Sequence, residues 1–518
     1  MLIVGAGPVG LTLAVDLGQK SVRCTLVERK PAPQFLPKME RCNARTMEIF
    51  RRMGLAQKVR AAGLPAEIPM DVYIIRAMNQ PPLVRHPYPS VAEARRQIDA
   101  CNDGSLPLEP YQLISQYTLE PLLKSVAEAL PSVTVRYGCE FLSFVQDASS
   151  VTTQVRANGT TSRIKSRYLV GCDGGASAVR EQLGIGLSGE GDLLRFRQGL
   201  FFCEELFRRI PIGNGPGHGR HYHVADEHFT FLIMQDSTRH WTLHATVAED
   251  REMAAQFEKT VGVPVKYEML YAGEWKQNLL LADRYAQGRV ILAGDAVHLV
   301  IPTGGLGMNS GVGDAVDLAW KLEGTLRGWG GLSLLASYEI ERRQVGARNV
   351  AASRYASLGR RKWRGLWRNL DELVAVAEVE QRKSNEMIGA ELGYRYAGSP
   401  IIADEPGASE PDFRQYVPTS WPGARLPHVW LAGHVAIQDR ISRGYTLLRF
   451  RDSDTSGLEK AMPPAPFEVL DIRDDHAREL YGHDLIFLRP DLHIAWRGNR
   501  APADPGRLAA LVTGHATS

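Results

Sequence analysis

Short apolar runs that end at a glycine or an acidic residue recur through the first three hundred positions. Leu2–Val4 runs into Gly5, Cys24–Val27 into Glu28, Tyr168–Val170 into Gly171 and Val290–Ala293 into Gly294-Asp295. Runs of this length bounded by turn residues read as buried strands. Between them lie helical patterns. One has Leu13, Ala14 and Leu17 on one face. Another is capped by Asn43, with Met47, Phe50 and Met53 inside, and a third is capped by Ser115, with Leu119, Leu122, Leu123 and Val126 inside. A helix starting near Asn309 is expected to continue through Tyr338 to about Arg368. Strand patterns also cover 133–137, 141–145 and 151–155, and Asp71–Pro107 weakens into strands and proline-rich loops.

Residues 195–285 alternate polar and apolar in GRHYHVA, HFTFLIMQ and HWTLHATV, the pattern of antiparallel strands. From about Pro400, strands at 429–433, 445–450, 467–472, 485–490 and 493–498, with helices at 474–481 and 505–512, suggest a thioredoxin-like order. The expected fold class is α/β: a Rossmann-like dinucleotide-binding domain, an inserted antiparallel sheet and a C-terminal thioredoxin-like domain. The expected division is 1–70, 108–180 and 280–395 for the first, 71–107 and 181–279 for the sheet, and 396–518 for the last.

The chemistry sits at the strand ends. Gly5, Gly7 and Gly10 form G-x-G-x-x-G between a strand and a helix, and Glu28 closes the next strand eighteen residues past Gly10. The glycines make the turn, admit a pyrophosphate and let helix and strand pack. Glu28 would take ribose hydroxyls and would repel a 2′-phosphate, which keeps NADP out of this site. Asp173-Gly174 and Asp295 repeat an acid at a strand end. The loop Gly304–Gly307 offers free backbone N–H groups at a helix start. Such an element can hold something flat, polyhydroxylated and anionic, and taken alone it is also an ordinary strand–loop–helix turn. Arg41 and Arg45 stand where a cation could meet a phosphate or a ring edge, and Gln116 can reach a phosphate or sugar. The arginines between 342 and 368 read as a solvated helix face, offset by Glu339, Glu341, Asp371 and Glu372.

Composition narrows the partners. The 518 residues carry 61 basic and 58 acidic side chains, a net charge of +3, too balanced to argue for nucleic acid or a membrane. The six cysteines form no C-x-x-C pair and none lies past Cys203, so a reduced cytoplasmic protein without structural zinc is expected, and the C-terminal domain can do no thiol redox chemistry. The opening strand leaves no room for a signal peptide. His221 and His223 share a strand face, but no carboxylate or cysteine is placed to complete a metal site, so no metal is expected.

GAGPVG at 5–10, GCDGGASAVR at 171–180 and GDAVHLVIPTGGLGMNSGVGDAVDLAWKL at 294–322 resemble the three fingerprints of the class A FAD-dependent aromatic hydroxylases. ELGYRYAGSPI, GARLPHVWL and RPDLHIAWRG resemble C-terminal markers of the branch with a thioredoxin-like domain, such as 3-(3-hydroxyphenyl)propionate, polyketide and rifampicin hydroxylases. The match spans nearly the whole chain. The resemblance implies non-covalent FAD held by Gly5, Gly7, Pro8, Gly10, Glu28, Arg29, Arg41, Arg45 and Gln116. It adds Asp173 and Gly174, Asp295 on the ribityl chain, and Pro302, Gly305, Leu306, Gly307, Met308 and Asn309 around the isoalloxazine. Many relatives carry glutamine where Leu306 stands, which removes one polar flavin contact.

The implied reaction is reduction of FAD by NADH or NADPH, a transient co-substrate, then O₂ addition at flavin C4a and transfer of one oxygen to a small phenolic ring. Tyr222, His223, Met234, Gln235, Trp241 and Pro302 are the candidate substrate wall. His223 is the candidate catalytic base, because imidazole titrates in the right range to take a phenol proton. A homodimer is left open. Rivals are a tailoring or inactivating hydroxylase of a polyketide or antibiotic, a flavin dehydrogenase without oxygen insertion, and a non-catalytic flavoprotein. A halogenase would carry W-x-W-x-I-P, which is absent.

Overall fold

The computed structural model describes residues 1–516. Its central sheet has six strands in the order Ala286–Gln287, Val290–Leu292, Leu169–Gly171, Leu2–Val4, Cys24–Glu28, Val133–Tyr137. All pairings are parallel except the Ala286–Gln287 edge hairpin. Leu2, Ile3, Leu26, Leu169, Val170, Val290 and Leu292 are fully buried, as a parallel sheet covered on both faces requires. From Leu2–Val4 the chain crosses to one side for Cys24–Glu28 and later to the other for Leu169–Gly171. That switch opens a crevice at the carboxyl ends of the strands, where Gly5, Asp173 and Asp295 lie together.

A three-stranded meander follows, Cys139–Gln146, Val151–Ala157 and Thr160–Ser166. The third strand is almost wholly exposed and polar, so no apolar pattern announced it. The inserted sheet has seven strands in the order Glu268–Lys276, Arg195–Phe202, His240–Ala245, Phe231–Met234, His221–Val224, Val72–Ile75, Val84–His86. It is mixed rather than antiparallel, because Val72–Ile75 runs parallel to His221–Val224. Leu187–Glu190, grouped with this sheet by position in the chain, pairs instead with Leu279–Ala282, which also pairs with His298–Leu299. A helix at Val91–Ala100 interrupts the expected loops. Its signal was present as the capping box Ser90…Glu93.

The expected continuous helix is two helices, Gly307–Arg327 and Leu332–Arg364. Gly328, at φ +81°, caps the first in the left-handed conformation that glycine adopts freely. The C-terminal sheet runs Phe467–Asp471, Tyr445–Arg449, Leu485–Leu488, Ile494–Gly498. Its first pair is parallel and the others antiparallel, and helices at Ser456–Ala461, Asp475–Tyr481 and Pro505–Val512 complete a thioredoxin-like order. Residues 429–433 stay outside it, giving only the two-residue pairing of Trp430–Leu431 with Val435–Ala436. Tyr445, Leu447 and Phe487 pack on Trp320 and Leu334, fastening this sheet to the two long helices. Among the described residues no helix is long and apolar enough to cross a membrane.

Candidate active site

A cavity of about 450 Å³ occupies the crevice. Gly5 makes the first turn at φ +103°, and a Cβ there would lie 2.4 Å from the Cys172 carbonyl oxygen. Gly10 lies outside the lining: a Cβ on it would sit 2.0 Å from the Gly5 carbonyl oxygen, so it serves the packing of helix Pro8–Gln19 on its strand. Gly7 and Gly174 face open space. A Cβ on Gly174 meets nothing within 4 Å, and one on Gly7 meets only Glu120 Oε1 at 4.0 Å. Backbone at both positions is therefore approachable, and Gly7 is the N-cap of Pro8–Gln19, where partial positive charge favours an anion.

Glu28 is held by backbone, Oε2 accepting from Ala6 N–H at 3.0 Å and Oε1 from Lys30 N–H at 3.0 Å. Glu28 lines the cavity, and each carboxylate oxygen can accept a further hydrogen bond. Gln116 lines it as well and donates to Glu120 at 2.6 Å. Asp173 accepts from Ser177 Oγ at 2.5 Å and from Val179 N–H at 3.2 Å, and burial raises its carboxyl above the usual value. Asp295 is exposed where it lines the cavity. Desolvation inside the crevice raises its carboxyl above the ordinary range, opposed by His298 and Lys38. A carboxylate presented this way suits hydroxyl donors from a ligand.

The Gly294-Asp295 turn rests on a buried ion cluster. Asp314 accepts from Gly294 N–H at 3.0 Å, His298 Nε2 at 2.8 Å and Arg342 Nε at 2.7 Å. Burial would protonate Asp314, but Arg342 and His298 outweigh it and hold the carboxyl down at about 2. Burial disfavours the charge on His298, and Asp314 again outweighs it and raises the imidazole. Arg342, expected on a solvated face, is 1% exposed.

The glycine loop is pinned from two sides. Asn309 Oδ1 accepts from Asn43 N–H at 2.9 Å, while its Nδ2 donates to the Arg41 and Gly305 carbonyls at 3.1 and 2.7 Å. Arg41 donates to the Gly304 carbonyl at 2.9 Å and pairs with Glu391 at 3.0 Å. Gly304 and Gly305 have φ of +91° and +67°, the region that penalises any side chain. Pro8, Arg29, Arg41, Pro302, Gly305, Gly307, Met308 and Asn309 all line the cavity.

Several expected residues lie elsewhere. Arg45 turns from the cavity to the C-terminal sheet, donating to the Asp491 carbonyl at 3.1 Å, because it shares a helix face with Glu48, which pairs with Arg425. Leu306 is 2% exposed and packs on Ala352, Met387 and Ala390. Alternation put both sheet faces into the predicted substrate wall. Tyr222, Met234 and Trp241 point to the far face, into the core with Met253 and Phe257 of helix Glu252–Val261.

Gln235 is buried and used internally, accepting from Ser115 Oγ at 2.5 Å and donating to Thr242 Oγ1. Ser115 thus holds Gln235 and makes no side-chain cap bond. His223 faces the near side but is fully buried, with Nδ1 taken by Arg364 at 2.8 Å. Burial and the nearby Arg360 and Arg364 push its imidazole well below 6.5, which removes it as the base. Its neighbour His221 reaches the cavity instead, through Glu40, at 3.2 Å. The sequence reading passed over Glu40, Asp314 and Glu391. Only Glu40 had a local signal, its place beside Arg41 at the end of the loop after Glu28.

Residues 1–353 match the family described as FAD binding domain, and residues 419–515 match aromatic-ring hydroxylase, C-terminal. The chain is 32% identical to the aklavinone 12-hydroxylase DnrF of Streptomyces peucetius over 90% of this chain and 94% of that one. It is 31% identical to a 4-methyl-5-nitrocatechol 5-monooxygenase of Burkholderia sp, over 98% and 95%. The rebeccamycin biosynthetic enzyme RebC with reduced flavin superposes with a TM-score of 0.89 at 31% identity, covering 99% of this chain and 98% of that one. With a dinucleotide-sized crevice, approachable glycine backbone and an open carboxylate at its floor, the chain belongs to the FAD-dependent aromatic-ring hydroxylases, flavin monooxygenases whose C-terminal domain is thioredoxin-like.

Proposed function

We propose that this chain hydroxylates a phenolic ring with NAD(P)H and O₂, holding FAD non-covalently along the crevice. Gly5, Gly7 and the start of helix Pro8–Gln19 would take the pyrophosphate, Glu28 the adenosine ribose, Gln116 a phosphate or sugar oxygen, and Asp295 the ribityl hydroxyls. The loop Pro302–Asn309, pinned by Arg41 and Asn309, would carry the ring system. The observation that carries this reading is Asp295: a carboxylate open to the same cavity as Gly174, whose missing Cβ leaves the backbone there approachable. Bound flavin supplies the electron transfer and the oxygen chemistry. The chain's own work is to bind, orient and keep water out. Arg41 fixes the loop through the Gly304 carbonyl, and Glu40 with His221 sets the polarity of the wall facing the ring. Glu28 bears only on the resident dinucleotide, so the NADH or NADPH choice is made elsewhere, at a transient contact. The cysteines are all free, which fits a cytoplasmic setting.

The test is a visible spectrum of the purified protein, then NAD(P)H oxidation with phenols from single rings to polyketide-sized ones, with H₂O₂ counted. Substrate-stimulated oxidation, little peroxide and a product heavier by one oxygen are expected. Oxidation without oxygen insertion would make it a dehydrogenase, and a protein that takes up no FAD would end the reading.

A further inference from the structure

Arg45, drawn away from the flavin crevice, lines a smaller cavity of about 40 Å³ between two domains. One side belongs to the dinucleotide-binding domain. Asp16 and Lys20 stand at the end of helix Pro8–Gln19 that lies away from Gly7, and Arg45, Glu48 and Arg52 come from helix Ala44–Arg52. The other side belongs to the thioredoxin-like domain, with Arg443 and Asp491. The space exceeds the roughly 10–15 Å³ that one water needs.

Each carboxylate lining this cavity is already held by another cation. Asp16 pairs with Lys20 at 2.5 Å, Glu48 with Arg425, and Asp491 with Arg489 at 2.6 Å. Three guanidinium groups are left over. Arg45 reaches Glu48 only at 3.5 Å and donates to the Asp491 carbonyl. It is 8% exposed, and its Nε finds no acceptor. Arg52 donates to the Ile441 carbonyl at 3.2 Å and to the Ser442 carbonyl. Arg443 donates to Gln19 at 2.8 Å and to the Arg52 carbonyl at 3.2 Å, which holds the two arginines side by side. Among the described residues neither Arg52 nor Arg443 pairs with a carboxylate. Burial, with Arg443 adding to it, pulls Arg52 down to about 10. Guanidinium groups are normally buried only when paired, so this cavity is rich in donors and short of negative charge.

We propose that this interdomain cavity binds one tetrahedral oxyanion, a phosphate or sulfate group, between Arg45, Arg52 and Arg443. Arginine's planar donor fork matches the oxygens of such a group. A water in its place would accept a hydrogen bond but bring no charge. Arg443 is exposed, so the cavity is reached from solvent, by the free ion or by the end of a phosphomonoester. The anion would touch both domains at once, and a ligand that binds only the docked arrangement stabilises it. The cysteine-free thioredoxin-like domain thereby supplies half of a binding site. Because the site lies at the opposite end of helix Pro8–Gln19 from Gly7, it stands apart from the flavin reading.

Binding is read by isothermal titration calorimetry of the full-length protein at constant ionic strength in chloride buffer, with inorganic phosphate, sulfate and 5′-AMP as probes. One site per chain is expected for phosphate or sulfate. Arg52→Gln and, independently, Arg443→Gln at its exposed position should each weaken that binding about tenfold or more, while FAD content stays at the wild-type level. Inorganic ions bound without AMP assign the site to the free ion, and AMP bound as tightly as phosphate assigns it to a phosphomonoester. The melting temperature should rise with phosphate in the wild type and stay level in Arg443→Gln. No saturable binding of any probe, binding unchanged in a folded Arg443→Gln protein, or a melting temperature that rises equally in both proteins, as general salt exclusion would cause, would overturn the proposal.

Discussion

Two of the buried charge clusters that touch helix Leu332–Arg364 are built on opposite terms. In the first, Lys321 pairs with Asp317 at 2.7 Å and Glu341 at 2.6 Å, and Arg489 pairs with Glu341 at 2.6 Å, Asp317 at 2.9 Å and Asp491 at 2.6 Å. Ser399 donates to Glu341 at 2.5 Å. Three acids share two cations, and burial pushes the Asp317 carboxyl up to about 7, so one proton brings the cluster to neutrality. It joins helices Gly307–Arg327 and Leu332–Arg364 to the thioredoxin-like sheet. In the second, Arg220, Arg360 and Arg364 each leave a buried Nε unpartnered, and none of them pairs with an acid among the described residues. A closed cluster holds the fold together. An open one carries a desolvation cost that no ion pair offsets.

The largest expected effect breaks the closed cluster. Arg489→Met leaves Glu341, Asp317 and Asp491 short of a cation in the core, and urea unfolding should register a loss of about 3–5 kcal/mol. Acid should come next. His221 has a folded value of about 4, below the free 6.5, so its contribution is present above pH 6.5 and is lost as pH falls toward 4. That amounts to roughly 3 kcal/mol, and His221→Gln should flatten the dependence in unfolding measured between pH 7 and 4.5.

Asp295→Ala removes a charged acceptor from the flavin site and should weaken FAD binding about 10- to 100-fold by flavin-release titration, with little change in unfolding. Tyr222→Phe loses bonds to the Gly219 N–H and the Gly217 carbonyl. It should lose about 1 kcal/mol and leave kcat/KM unchanged, because that ring faces the far core. Arg220→Met should move stability least, toward neutral or slightly higher, the reverse of Arg489→Met. A loss as large as that of Arg489→Met would erase the contrast between the clusters.

Most of the flavin crevice was legible because its residues act through local backbone. Gly5, Gly7, Asp173 and Asp295 follow strands whose burial is written in the strand itself, and parallel order brings such ends to one edge. The substrate wall was not legible. Phe231–Met234 is apolar on both faces, and the alternation of His240–Ala245 named the strand without saying which of its faces meets the crevice. Arg342 and Arg364 looked like solvated positions because a charge on a helix carries no mark of the acid or carbonyl it will meet from a distant segment.

By itself the sequence determined the α/β order, the dinucleotide turn, the acids at the strand ends and the cysteine-free thioredoxin-like domain, since each depends on neighbours a few residues away. Tertiary structure alone decided that His221 rather than His223 reaches the cavity through Glu40, and that Glu391 anchors Arg41. Those pairings join residues 181 and 350 positions apart. Charge and burial act through space, so only the folded chain could set them.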